Sequence, residues 1–418
     1  MNDCLFFGYN QNQKLIKNEP CLSTIFLFEN GKAIEYLTDE EEYLNQNPEK
    51  IQIEENIQKV TVGFLNEAIL TKEGNVFAKG RNINPKNPKE FINISSLIED
   101  KNDRVIQDII CATFSIYLLT SNQNAYGIGG NHYGQLGFDS ETLKQTEKPI
   151  LMMKNVSKIF SGTSSFHVFI LNSNQELFAC SLNRYGQLGL GESKRKELRI
   201  HKLTKIQNIP KGKIIDIQCG SSHSIMLVEN ENQNQNPKRK LYSCGYSSYN
   251  GLGKTENTYE FTEIKSSLFE NDNILDFSVG GYHTLVLTSN SKLIVFGYNI
   301  DGQLGNGKTE DKIPIPIQIG LPELKFNEDI SNYHISCGYH NSFIYYSPPS
   351  FSNLEEDLIK LFRRKEFCDI SFKTENGEII EAHKLILKYR LNQNQNQIEK
   401  LQEIISKNQL KNQIKYLK

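Results

Sequence analysis

Nothing in the chain approaches the run of about 20 apolar residues that a membrane helix requires. Residues Met1 to Asn10 hold no basic region followed by a long apolar stretch, so no signal peptide is expected. The protein is expected inside the cell, in the cytoplasm, the nucleus or both. A net charge of one sign is also missing: 47 Lys and Arg stand against 49 Asp and Glu, a formal −2 over 418 residues. That balance predicts no DNA-binding footprint and no attraction to anionic membranes. Catalytic signatures are lacking too. No Gly-x-Ser-x-Gly elbow occurs and no phosphate loop is expected, so the chain reads as a non-enzyme. Gly127-Ile128-Gly129-Gly130 is glycine-rich but sits in a strand-like stretch rather than ahead of a helix, which argues against a dinucleotide site. The eight cysteines are expected as reduced thiols, most of them small buried side chains in apolar strands.

What is present is self-similarity. Tyr133-Gly134-Gln135-Leu136-Gly137 recurs as Tyr185-Gly186-Gln187-Leu188-Gly189. It recurs again as Tyr249-Asn250-Gly251-Leu252-Gly253 and as Asp301-Gly302-Gln303-Leu304-Gly305. The glycines suit a tight turn with positive φ, and each leucine can drop into the seam between neighbouring units. A second signature alternates with the first. Cys219-Gly220-Ser221-Ser222-His223 is echoed by Gly280-Gly281-Tyr282-His283 and Cys337-Gly338-Tyr339-His340, and more loosely by Gly162 to His167. An apolar strand, a polar turn and a second apolar strand follow each full copy, a β-hairpin pattern. A unit of this size cannot bury both faces alone, so radial stacking of units is predicted.

These residues resemble the RCC1 repeat, with its Cys-Gly-x-x-His, hairpin and Gly-Gln-Leu-Gly. The resemblance is strong over residues 105 to 346 and faint over 1 to 104, where the hairpin frame survives without the histidine or the Gly-Gln-Leu-Gly. It implies an all-β fold over residues 1–347, a propeller of seven blades, with six as the alternative count. The strand that completes the last blade is expected from Cys4 to Asn10, which would leave no free sheet edge. Each of His167, His223, His283 and His340 is expected to hydrogen-bond backbone within its own blade. No cofactor or metal is expected. Cys219 with His223, and Cys337 with His340, have suggestive spacings, but each pair belongs to a separate repeat and zinc needs four convergent ligands. The family often carries tryptophan before the outer-strand glycine. Lys79, Ile128, Cys244 and Phe296 stand there in this chain, which has no tryptophan at all. The light-absorbing role of a plant receptor of this fold is thereby excluded.

After Pro348-Pro349 the pattern changes. Leu354 to Phe362 has helical spacing, and Phe367 to Lys373 and Ile379 to Leu387 flank a turn at 375–378. Asp369, Phe372, Ala382, His383, Lys384 and Leu387 resemble the opening of a BTB (POZ) domain, a small α/β fragment over 354–391. Residues 392–418 read as a polar Asn-Gln run and a helical tail. Proteins with RCC1 repeats followed by BTB recruit a target with the propeller and a cullin-3 ubiquitin ligase with the BTB domain. The resemblance therefore implies a protein-binding scaffold, with cullin-3 or a small GTPase as candidate partners. The alternatives are guanine-nucleotide exchange on a small GTPase, and a decayed paralogue without activity. Lys194-Arg195-Lys196 and Lys238-Arg239-Lys240 read by default as solvated loops, with a nuclear import signal or a contact for an acidic partner as the second reading.

Overall fold

The computed structural model describes residues 53–230, 238–247, 251–320 and 330–346, less residues 54, 271, 310, 331 and 332, together with the backbone of six strands outside these ranges. Contacts divide the chain into two units, Met1–Tyr346 and Ser347–Lys418.

Among the described residues the first unit contains seven antiparallel sheets laid out in chain order, which fits the seven-blade count rather than the six-blade alternative. Blade 1 pairs Ile25–Glu29, Lys32–Tyr36 and Glu49–Lys50. Blades 2 to 6 each have four strands and begin with Ile57–Val62, Ile106–Cys111, Val156–Phe160, Lys213–Cys219 and Ile274–Val279. Blade 7 takes Tyr333–Cys337 and Ser342–Tyr346 from the end of the unit and Cys4–Phe7 from its start. The register of that closure is Cys4 with Tyr345 through Phe7 with Ser342. The expected closing strand is thus present over Cys4–Phe7, and residues 8–10 lie outside the described residues.

Alternation along the strands explains why the blades stack. In the second strand of blade 5, Met226 and Val228 face a cluster shared with blade 4, while Ile225 and Leu227 face one shared with blade 6. Leu285 and Leu287 of blade 6 face blade 7, and Val286 between them faces blade 5. Covered on both faces, such strands become continuous apolar runs rather than half-polar ones. First strands of successive blades approach one another. Lys59 reaches Asp108 at 2.6 Å, the Lys158 amine donates to Ile215 O at 2.8 Å, and Gln218 Nε2 donates to Phe277 O at 2.9 Å.

One residue breaks the pattern of the third strands. Gly80, Gly129, Gly245 and Gly297 occupy equivalent places at φ between 104° and 138°, close under the carbonyl of the neighbouring loop. Blade 4 has Ser181 there instead, at φ 95°. Side chains other than glycine are disfavoured in that region by roughly 1–2 kcal/mol. Ser181→Gly is expected to stabilise the protein by about 1 kcal/mol, a rise in denaturant midpoint at unchanged m-value. A lower midpoint would show that the Ser181 hydroxyl, which donates to Phe166 O, matters more than the backbone.

The second unit contains one antiparallel pair, Ile370–Lys373 with Ile379–Ala382, joining Ile370 to Ala382 and Lys373 to Ile379. The two strands flank residues 375–378, where the turn is expected and which lie outside the described residues. Phe372 and Ala382 lie in these strands. Asp369, His383, Lys384 and Leu387, the helix expected over 354–362, and the tail 392–418 lie outside the described residues.

Candidate functional site

The repeat residues form a hydrogen-bond relay that fixes one rim of the ring. In blade 4, Asn183 Oδ1 accepts from Leu188 N and its Nδ2 donates to Lys194 O and Glu197 O. Asn131 and Asn299 organise the turns of blades 3 and 6 in the same way. The glycines Gly134, Gly137, Gly186, Gly189, Gly253, Gly302 and Gly305 all take positive φ. Gly251 stands where the other copies have glutamine and is not among them. Leu136, Leu188, Leu252 and Leu304 are fully buried, and Leu136, Leu188 and Leu304 enter the clusters shared with the following blade.

His167 and His283 bridge blades, which corrects for these two the expectation of bonds to backbone within their own blade; the His167 ring also meets Ser165 Oγ of its own blade through Nδ1 at 3.0 Å. Ser224 Oγ donates to Gln187 O at 2.8 Å, which uses its single proton, so His167 Nε2–H must donate to Ser224 Oγ across 2.7 Å. His283 Nε2 donates likewise to Ser342 Oγ at 2.8 Å, which donates to Gln303 O. The Nε2–H tautomer assigned by these networks is neutral. Burial depresses both ring pKa values to about 3, and that of His223 to about 4.

His340 is not the fourth member. Gly220 N bonds His223 O and Gly280 N bonds His283 O, while the matching bond in blade 7 runs from Gly338 N to Asn341 O. Asn341 therefore occupies the repeat position, and in blade 2 Asn66 does, with Gly63 N donating to its carbonyl. The Asn66 amide reaches Ala112 O in blade 3 at 3.0 Å. His340 lies at the rim instead, Nδ1 3.2 Å from an Asp301 carboxylate oxygen.

Cys111, Cys219 and Cys337 hold one equivalent place in the first strands, and burial pushes all three thiols up, Cys337 to about 11. Such thiols are poor nucleophiles and poor ligands. Among the described residues no three His, Cys, Asp or Glu side chains converge as a metal site would need. One string does contradict the expectation that no phosphate loop is present. Gly302-Gln303-Leu304-Gly305-Asn306-Gly307-Lys308-Thr309 has the required spacing. It forms the connection between strands Leu293–Tyr298 and Lys312–Ile319, and no helix follows to aim backbone N–H groups at a phosphate.

The same rim carries an aromatic belt that sequence reading missed, because its members lie in loops one repeat apart. Phe114 and Tyr133 of blade 3 each lie 5.5 Å from Phe166 of blade 4. Tyr185 of blade 4 stacks on Tyr246 of blade 5 at 4.1 Å. Tyr282 of blade 6 meets Tyr339 of blade 7 at 5.8 Å, and Phe64 of blade 2 lies 6.4 Å from Tyr339. Phe64 is 41% exposed and Ile300 45%. Three guanidinium groups cover tyrosine rings: Arg184 over Tyr185, Arg195 over Tyr259 and Arg199 over Tyr133. Aromatic and arginine side chains held by a rigid frame are the composition of protein-binding surfaces.

Comparison with known proteins agrees with this architecture. A family model described as the Regulator of chromosome condensation (RCC1) repeat matches residues 175–227 and 290–345, and a second of the same description matches 274–303. The chain is 24% identical over 281 residues to the probable E3 ubiquitin-protein ligase HERC4 of Homo sapiens, covering 65% of this chain and 25% of that protein. It is 25% identical over 239 residues to the ultraviolet-B receptor UVR8 of Arabidopsis thaliana, covering 57% of this chain and 50% of the receptor. It thus spans about a quarter of one relative and half of the other. Among solved structures, yeast RCC1 (Prp20) with Kap60 bound superposes with a TM-score of 0.61 at 17% identity, over 80% of each chain. Human WBSCR16 gives 0.57 at 18%, over 72% of this chain and 76% of that one. The chain is a repeat protein of the β-propeller class. Its residues 175–227 and 274–345 match the RCC1 repeat, and its fold is like that of the RCC1 propeller.

Proposed function

We propose that the propeller is a non-enzymatic scaffold inside the cell that binds a protein partner on its aromatic rim and acts as a recruiter or regulator. The observation that carries this reading is the belt of rings and arginines gathered on one rim by blades 2 to 7. One solved neighbour is in keeping with a binding role: yeast RCC1 was solved with Kap60 bound. In the finer form of the proposal the second unit links the bound target to cullin-3. Purified cullin-3 retained by the full chain supports that form, and no retention removes it. The exchange-factor alternative predicts faster nucleotide release from a small GTPase.

The scaffold reading is tested by photo-crosslinking. Benzoylphenylalanine replaces Phe64, Phe114 or Tyr133 on the belt, or Asn122, Asn174 or Asn290 at hairpin tips on the opposite rim. Discrete protein adducts in cell extract are expected from the belt positions. Equal yields from both rims, or no adducts at the belt, would remove the reading.

A further inference from the structure

Where blades 3 and 4 meet, the belt is strongly cationic. Residues 184–199 hold Arg184, Lys194, Arg195, Lys196 and Arg199 against two carboxylates, Glu192 and Glu197. Both carboxylates are taken: Glu197 pairs with Lys194 at 2.6 Å, and Glu192 lies 3.6 Å from Arg195. Arg184, Lys196 and Arg199 have no carboxylate partner among the described residues. Asp139 of the neighbouring turn is engaged by the Glu141 N–H. The free cations are not dispersed. Arg199 pairs in register with Leu182, and Asn183 N donates to Leu198 O at 2.9 Å, so the ladder sets Arg184 close beside Leu198 and Arg199. Leu198 is 59% exposed, the most exposed large apolar side chain among the described residues. The Arg199 guanidinium lies 5.2 Å from the Tyr133 ring centroid and that of Arg184 5.5 Å from the Tyr185 centroid, cation–π contacts that limit the freedom of both side chains.

A guanidinium fixed on an aromatic face, partly dehydrated and lacking a counter-ion, is preorganised for a carboxylate, which it can grip with two parallel hydrogen bonds. An exposed leucine next to these groups along the chain adds an apolar contact that a bare polyanion would not use. We infer that Arg184, Leu198 and Arg199, framed by Tyr133 and Tyr185, form a docking site for an acidic peptide segment of a protein partner with an apolar side chain among its carboxylates. The inference rests on the scaffold reading and specifies the chemistry of its ligand. It also divides the basic cluster at 194–196. Lys194 and Arg195 hold their own turn, and Lys196 is left to the partner.

The test uses the full chain and a fluorescein-labelled twelve-residue peptide of Asp and Glu with one central leucine, followed by anisotropy. Saturable binding is expected. The double substitution R184E/R199E should weaken it at least tenfold with an unchanged melting temperature, since both side chains are exposed. K72E, at a hairpin tip on the opposite rim, should bind as the parent does. Replacing the peptide's leucine by serine should weaken binding severalfold. The proposal is overturned if the parent shows no saturable binding, if K72E loses as much as R184E/R199E, or if the serine peptide or a DNA duplex binds as tightly, which would mean generic polyanion attraction. Crosslinks at Phe64 and Phe114 that persist when the peptide fails would leave the scaffold reading standing and remove the acidic ligand alone.

Discussion

Acidification from pH 7.5 to pH 5 is expected to destabilise the propeller by on the order of 6 kcal/mol, from three buried histidines. His167 and His283 are held neutral with pKa values near 3, and His223 near 4, in each case chiefly by burial. In the unfolded chain each titrates near 6.5. Between the two values the unfolded state binds more protons, so stability falls as pH falls. The stabilisation is full above about pH 6.5 and is lost progressively down to the folded pKa. At pH 5 each histidine accounts for roughly 2 kcal/mol. The geometry gives the cause: His167 Nε2 already donates to Ser224, and charging the ring would place a cation in the sealed seam between blades. Urea midpoints at the two pH values check the total. Because asparagine occupies the same place in blades 2 and 7, His167→Asn should remove about a third of the pH dependence. Midpoints that do not move with pH would contradict the assignment of neutral, buried rings.

The second large effect is steric. Gly186→Val should cost at least about 4 kcal/mol or prevent folding. Gly186 sits at φ 81°, and a β-carbon there would lie 2.8 Å from the Cα of Tyr259 in the next blade. Backbone cannot yield as a flexible side chain can, and valine adds β-branching in a region it does not adopt. Gly307→Ala is the control: φ is 75°, but nothing lies within 4 Å of the new methyl. It should cost roughly 1–2 kcal/mol. Thermal or denaturant midpoints of the two variants separate conformational cost from collision. Equal losses would mean that the blades do not approach at Gly186 as described.

Much of the fold was legible because the turns demand particular residues. Gly-Gln-Leu-Gly marks a place where a side chain cannot fit and a leucine must, so its recurrence marked blades 3 to 6, while the count of seven came from the resemblance. The register of the histidine was legible in part. Cys337-Gly338-Tyr339-His340 imitates the motif with one residue fewer. Counting from Cys337 as from Cys219 leads to Asn341, and Ser342 then matches Ser224. Gly63-Phe64-Leu65-Asn66 follows the same rule with asparagine, which is why blade 2 looked degenerate. The direction of the histidine bonds was not legible, since donor and acceptor lie 57 residues apart and in different blades. The aromatic belt was hidden for the same reason, and so was the pairing of Arg184 with Arg199. A surface assembled from many loops has no local pattern in the sequence.

The pairing of Cys4–Phe7 with Ser342–Tyr346 has a consequence for synthesis. The strand leaves the ribosome more than 300 residues before its partner. At a typical elongation rate of 5–20 residues per second, it waits roughly 20 to 70 seconds. During that interval Cys-Leu-Phe-Phe is an apolar strand with no sheet to join, the kind of edge that recruits other chains. The nascent protein therefore needs shielding at Cys4–Phe7 until Ser342–Tyr346 arrives. The ring is sealed late, by the joining of two distant segments, rather than grown blade by blade to completion.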